Sequence, residues 1–242
     1  MEGGSTERAP LSGRVIAIAG ASGNLGPAVV RRLAASGALL ALGGREQAPL
    51  DELSSAVGIE ADTASVDLLD ADAAHGWAAG IVERHGRVDG LVHLVGGWRG
   101  GTPIEEAPLE DWDFLHGLLI RTVQHATQAF APHLIESGRG RFVIVSSSQA
   151  QGPTNTNASY AAAKAAAEAW TLALAHRFRG TGATSNVIIV GSIVTAEMRE
   201  ESPDKDFATF TSAEEIAEAV HYLCSDAAAS MNGQRLTLRG AA

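Results

Sequence analysis

Tyr160 and Lys164 stand four residues apart in the run Tyr160-Ala161-Ala162-Ala163-Lys164, whose alanines predict a helix. Positions i and i+4 share a helix face, so the phenol and the ammonium are expected on one side. An ammonium near a phenol favours the phenolate, so Lys164 is expected to lower the Tyr160 pKa. Tyr160 could then serve as a general acid or base near neutral pH. The chain has only two tyrosines and two lysines, arginine being its usual cation. One of each at this spacing is therefore more than composition supplies, although a surface helix pair is the plain alternative. Ser146-Ser147-Ser148 closes an apolar run, and Ser147 precedes Tyr160 by thirteen residues. A hydroxyl there could hydrogen-bond a substrate oxygen; turn formation or helix capping is the competing role.

A second cluster lies near the start of the chain. Gly20-Ala21-Ser22-Gly23-Asn24-Leu25-Gly26 follows the first apolar run and precedes a helical pattern. A glycine-rich turn from strand to helix lets the backbone approach a pyrophosphate, and the helix N-terminus offers free N–H groups. A tight turn needing positive φ is the alternative. The second strand ends at Leu42-Gly43-Gly44-Arg45. NAD-selective folds place an acid near here for the ribose 2′-OH. This chain has none at Gly43 or Gly44, and Arg45 is placed to meet a 2′-phosphate, which favours NADP(H) over NAD(H). A solvated surface arginine is the other reading of Arg45. Asp67, after the third strand, suits either an adenine amino group or a helix N-cap.

The elements that must position these residues alternate. Strands are expected at 15–19, 39–42, 63–66, 90–95, 142–146, 185–190 and 236–238. Helices are expected at 25–36, 49–56, 71–85, 109–135, 159–179 and 213–223. Several strands are continuously apolar, as when helices cover both faces of a parallel sheet. Strict βαβα alternation predicts an α/β, doubly wound Rossmann fold with a central parallel sheet of about seven strands. Residues 13–242 read as a single domain and residues 1–12 as a flexible N-terminal tail without the apolar core of a signal peptide. The stretch 192–211 lacks periodicity and is a candidate lid.

The 242 residues carry a net charge of −10, which disfavours a nucleic-acid footprint. No apolar run reaches membrane-spanning length, so no membrane partner is expected. Cys224 is the single cysteine, which precludes an intrachain disulfide. A cytoplasmic location is the expectation. The histidines lack zinc-ligand spacing, so no metal is expected, and no Gly-x-Ser-x-Gly elbow points to a hydrolase.

Taken together, the glycine loop, the serine and the Tyr160–Lys164 pair resemble the short-chain dehydrogenase/reductase family, over residues 13–240. The family's Thr-Gly-x-x-x-Gly-x-Gly is matched by Ala19-Gly20-Ala21-Ser22-Gly23-Asn24-Leu25-Gly26, with departures at Ala19 and Asn24. Its catalytic Ser, Tyr and Lys fall on Ser147, Tyr160 and Lys164. Val190-Gly191-Ser192-Ile193-Val194-Thr195 is similar to its Pro-Gly-x-x-x-Thr segment. The resemblance implies a cofactor site formed by Gly20, Ser22, Gly23, Asn24, Leu25, Gly44, Arg45, Asp67, Leu68, Val95, Gly96, Tyr160, Lys164, Gly191, Ile193 and Thr195. It implies hydride transfer from nicotinamide C4 to a carbonyl carbon. Tyr160 would protonate the oxygen, Ser147 would position it, and Lys164 would bind the nicotinamide ribose while tuning Tyr160. It also implies a homodimer or homotetramer, joined through helices 109–135 and 159–179.

Two positions depart from the family. Its Asn-Asn-Ala-Gly is here His93-Leu94-Val95-Gly96, and its helix asparagine, which helps hold a proton-relaying water, aligns with Leu119. A narrower resemblance, to dihydropteridine reductases, lies in Val95-Gly96-Gly97-Trp98-Arg99-Gly100-Gly101 and in the segment from Thr195 through Met198, Phe207 and Phe210. It implies that Trp98, Met198 and Phe207 join Ser147 and Tyr160 at the substrate. Those enzymes favour NADH and generally lack the serine kept here as Ser147. Three functions follow: an NADP(H)-dependent ketone reductase, a reductase of a quinonoid pterin or imine, or a catalytically decayed NADP-binding sensor.

Overall fold

The computed structural model describes residues 9–240. In chain order the strands are β1 (Val15–Ala19), β2 (Leu39–Gly44), β3 (Asp62–Ser65), β4 (Gly90–His93), β5 (Arg141–Ser147), β6 (Thr184–Val190), β7 (Ser192–Val194), β8 (Phe210–Ser212) and β9 (Arg235–Thr237). Seven of them form one sheet in the order β3-β2-β1-β4-β5-β6-β9. Every pairing in it is parallel. The expected seven-stranded parallel sheet is therefore present.

Side-chain alternation explains the uninterrupted apolar strands. Ile16 and Ile18 of β1 join one core layer with Val29, Leu33, Ile216 and Val220. Val15, Ala17 and Ala19 join the other with Trp77, Phe130 and Phe142. Both faces are dry, so neither can be polar. The first layer is covered by α1 (Gly26–Ala34), α2 (Gln47–Val57) and α8 (Ala213–Cys224). The second is covered by α3 (Ala71–His85), α5 (Thr122–Glu136) and α6 (Ala158–Arg177). Two further helices, α4 (Leu109–His116) and α7 (Ala196–Glu201), lie outside these layers.

Strand order reverses between β1 and β4, where the chain leaves one half of the sheet for the other. Such a switch point opens a crevice at the carboxyl ends of the strands. Gly20 closes β1 there with φ +77°, and a Cβ on it would stand 2.9 Å from the backbone nitrogen of Val95. Only glycine satisfies both the left-handed backbone and that approach.

Four expectations are corrected. Residues 1–8 of the expected tail lie outside the described residues, but Leu11 is fully buried and its N–H donates to the Ser36 carbonyl at 3.0 Å. Its apolar side chain has a place in the core, so residues 9–12 are not loose. The helix expected at 109–135 is broken. A π-helical segment, Gly117–Arg121, separates α4 from α5, with the Thr122 N–H reaching back to the Gly117 carbonyl. The inserted residue lets Leu115, Leu119 and Ile120 all turn inward. The fourth strand stops at His93 rather than 95, because Leu94 and Val95 turn toward the crevice beside Gly20. The aperiodic stretch at 192–211 is also partly regular: β7 pairs in parallel with β8 around α7.

The glycines give a stability test with opposite signs. Gly20→Ala should destabilise the fold by about 2–4 kcal/mol, combining left-handed strain with overpacking. Gly76 lies in α3, and a Cβ added there would meet nothing within 4 Å. Gly76→Ala should stabilise by about 0.5–1 kcal/mol through helix propensity. Urea titrations of the two variants check this; equal effects would contradict the assigned backbone.

Candidate active site

A cavity of about 780 Å³ opens at the switch point. Its walls hold Gly20, Ser22, Gly23, Asn24 and Leu25 from the β1–α1 turn and Gly44 and Arg45 from the end of β2. They also hold Asp67 and Leu68 after β3, Val95, Gly96 and Trp98 after β4, Tyr160 and Lys164 from α6, and Ile193 from β7. Residues scattered over most of the chain thus meet in one space. α1 begins at Gly26 with no side-chain cap; the Gly26 N–H donates to the Gly23 carbonyl at 2.9 Å and Pro27 carries no N–H, so what the helix start offers an anion is chiefly the positive end of its dipole. Asp67 does not cap α3; Asp70 does, accepting from Asp72 and Ala73, while Asp67 accepts from the Leu69 N–H at 2.9 Å.

Five of the predicted residues, Ser147, Gly191, Thr195, Met198 and Phe207, lie off these walls. Ser147, at the end of β5, is buried, and its hydroxyl lies near enough to the Tyr160 phenol to favour the phenolate. Its Oγ also accepts from the Gln149 N–H at 3.2 Å. Gly191 links β6 to β7 in the open. The Thr195 hydroxyl caps α7 by accepting from the Met198 backbone N–H at 3.2 Å. Phe207 packs edge-on against Phe210, with ring centroids 5.2 Å apart, beside a separate open depression shared with Arg199 and Lys205.

The α6 pair shares the expected face, with Lys164 Nζ 5.9 Å from the Tyr160 ring centroid. Nζ donates to the Val145 carbonyl at 2.9 Å. The surrounding protein strips water from the ammonium and pushes its pKa down to about 8, against a supporting pull from the Glu168 carboxylate. The expected lowering of the Tyr160 pKa does not appear. Burial raises it above the ordinary phenol value, and the Ser147 hydrogen bond opposes that rise only in part. The ammonium is engaged with a strand carbonyl rather than the phenolic oxygen, so desolvation dominates.

Sequence reasoning missed the groups that hold this pair from behind. Glu168 is buried one turn beyond Lys164, accepting from Ser146 Oγ at 2.6 Å, Gln151 Nε2 at 3.1 Å and Arg235 Nε at 2.7 Å. Asn157, buried just before α6, donates to Gln149 Oε1 at 2.9 Å and so braces the turn beside Ser147. The i, i+4, i+8 spacing of Tyr160, Lys164 and Glu168 was a usable signal, since it puts all three on one face. Asp113, Phe114, Leu118 and Thr122 also line the cavity. They come from α4, the π-helical break and α5, whose geometry the helical pattern did not show.

Comparison with known proteins agrees with this arrangement. Residues 14–206 match the family model for short chain dehydrogenase. Gluconate 5-dehydrogenase of Gluconobacter oxydans is 31% identical over 95% of this chain and 94% of its own. The 3-oxoacyl-(acyl-carrier-protein) reductase of Thermotoga maritima is 28% identical over 95% and 98%. Levodione reductase superposes with a TM-score of 0.85 at 26% identity, covering 95% of this chain and 97% of that one.

The phenol gives a direct check on the electrostatics. With only Tyr160 and Tyr222 in the chain, absorbance titration near 295 nm should show one phenol ionising above the ordinary tyrosine range. That late step should vanish in Tyr160→Phe. A Tyr160 ionising below the ordinary tyrosine range would contradict the assigned environment.

Proposed function

The chain belongs to the short-chain dehydrogenase/reductase family, and on that premise we propose that it is an NADP(H)-dependent ketone reductase. The family's cofactor is a nicotinamide dinucleotide, and the residues here fit one. The observation that carries the reading is that Tyr160 and Lys164 open into the same cavity as the glycine loop and Arg45. The loop's backbone and the uncapped start of α1 suit a pyrophosphate. A Cβ on Gly44 would stand 3.1 Å from Ser22 Oγ and 3.3 Å from Leu50 Cδ2, which crowds out an acidic side chain at that position. Ser22 and the exposed Arg45 then present a hydroxyl and a guanidinium to a 2′-phosphate.

When bound, the dinucleotide supplies or accepts the hydride at the carbonyl carbon. In reduction Tyr160 gives its proton to the carbonyl oxygen, and its raised pKa keeps that proton in place at neutral pH. Ser147 lies beside the phenol and off the cavity walls, so it reaches the same oxygen only by turning its hydroxyl from Tyr160 to the bound carbonyl. Lys164 keeps one N–H on Val145 and turns the others to ribose hydroxyls and the Tyr160 side. Trp98, 57% exposed on the cavity wall, covers a flat substrate. That feature supports the second reading, reduction of a quinonoid pterin or imine. Retention of Ser147 beside Tyr160 favours the carbonyl. Association as a dimer or tetramer through α4, α5 and α6 belongs to the same proposal, since Leu109, Trp112 and Phe114 of α4 and Trp170 of α6 are exposed.

NADPH oxidation measured with panels of ketones and quinonoid pterins tests the assignment. Turnover with ketones is the expected result; turnover with pterins alone favours the second reading, and tight NADPH binding with no turnover favours a sensor. Tyr160→Phe should lose about 10²–10⁴-fold in kcat while NADPH binding is retained. Undiminished turnover would remove Tyr160 from the chemistry. Arg45→Ala should weaken NADPH by about 10–100-fold, the worth of a charge-assisted hydrogen bond, with little change for NADH. Equal losses would remove Arg45 from the phosphate site.

A further inference from the structure

His93 ends β4 and is 3% exposed. Strand alternation turns it to the face of Leu91, while Val92 turns to the opposite layer. In the sheet it lies opposite Ile144 of β5. The next residue on β5, Val145, holds the Lys164 ammonium through its carbonyl. Neighbouring strands are about 4.8 Å apart, so the imidazole and the ammonium belong to one pocket between the sheet and α6. Lys164 is the charged group that bears on His93.

The imidazole's two nitrogens are used unequally. The residue's own backbone is the polar group that bears on one side of the ring, and we assign the proton to Nδ1, which leaves Nε2 as the acceptor. Nε2 is buried and has no hydrogen-bond partner among the described residues. Burial and the nearby ammonium push the His93 pKa down to about 3, so the ring is a permanent neutral acceptor at working pH. An orphaned buried acceptor is costly, and a donor or a bridging water removes that cost. Across the same pocket, the asparagine expected on the helix is Leu119, which packs with Leu115, Ile120 and Ala163 and offers no hydrogen bond.

We propose that His93 is a positioning residue for Lys164: one water bridges an ammonium N–H to the His93 Nε2 lone pair, in the role that Leu119 cannot fill. The proposal rests on Tyr160 and Lys164 forming the oxidoreductase centre. The other groups that bear on the ammonium are Tyr160 and Glu168 of α6 and the Val145 carbonyl of β5, while Leu118 and Thr122 line the same cavity. Asp67 and Asp113 line the cavity more broadly. Glu168 is already engaged by Ser146, Gln151 and Arg235. The His93 lone pair therefore supports the charged form of Lys164 independently of that carboxylate.

Competitive acetylation of the intact protein tests this without any turnover. The chain's only other lysine, Lys205, serves as an internal reference in peptide mass spectra. Wild-type Lys164 should become reactive with a midpoint about 8. His93→Leu should move that midpoint down by about one pH unit, a tenfold change in proton affinity. His93→Asn, which restores an acceptor, should bring it back. If His93→Leu does not fold, His93→Phe carries the same expectation. An unmoved Lys164 midpoint in the apolar variant overturns the proposal, as does failure of His93→Asn to restore it. A wild type that reduces no carbonyl yet shows the His93-dependent midpoint refutes the reductase reading alone.

Discussion

The 2.9 Å hydrogen bond from Lys164 Nζ to the Val145 carbonyl ties a helix to the carboxyl end of a central strand, at the edge of the sheet's switch point. An ammonium in such a place needs compensation for lost water. The strand carbonyl supplies part of it and the Glu168 carboxylate another part. These partners constrain α6 to pack with Tyr160, Lys164 and Glu168 turned inward. They also constrain β5 to end where its last carbonyls and serines meet that face. The cavity follows from this docking together with the glycine turn at Gly20.

Much of this was legible in the sequence because it depends on periodicity and local chemistry. The central strands of the main sheet carry apolar runs, and the i, i+4 spacing of Tyr160 and Lys164 puts them on one face whatever surrounds them. The cofactor-side residues from Gly20 to Gly96 converge because the strand order brings their turns together. What stayed hidden depends on tertiary contact. A π-helical insertion has the same apolar pattern as a helix, so Gly117 and Leu119 gave no warning of the break. That the Thr195 hydroxyl caps α7 was equally hidden, because the cap depends on where that short helix begins. The Tyr160 pKa turned on where the Lys164 ammonium points, which spacing alone does not reveal.

Behind Tyr160 and Lys164 lies a layer of hydrogen-bonded groups that holds them in place. Gln149 and Asn157 brace the turn that carries Ser147, and Ser146, Gln151 and Arg235 satisfy the carboxylate that supports Lys164. These groups sit on β5, its following turn, α6 and β9, so the geometry of the pair depends on four elements meeting correctly. The substrate side is more open. Trp98 projects from a loop tied to α4 through Arg99, which pairs with Asp111 at 3.1 Å and lies over the Phe114 ring at 3.8 Å. Substrate selection can therefore vary with this loop while the Tyr160–Lys164 frame stays fixed.

The most direct test of the central claim is to follow the hydride itself. The protein is incubated with NADPH carrying deuterium at nicotinamide C4 on the transferred face and with a ketone it accepts, and the alcohol is analysed by mass spectrometry. Direct transfer in a site closed by Tyr160 predicts one deuterium on the carbinol carbon, retained in ordinary water. An alcohol without deuterium, or deuterium left on the cofactor after turnover, would contradict the account.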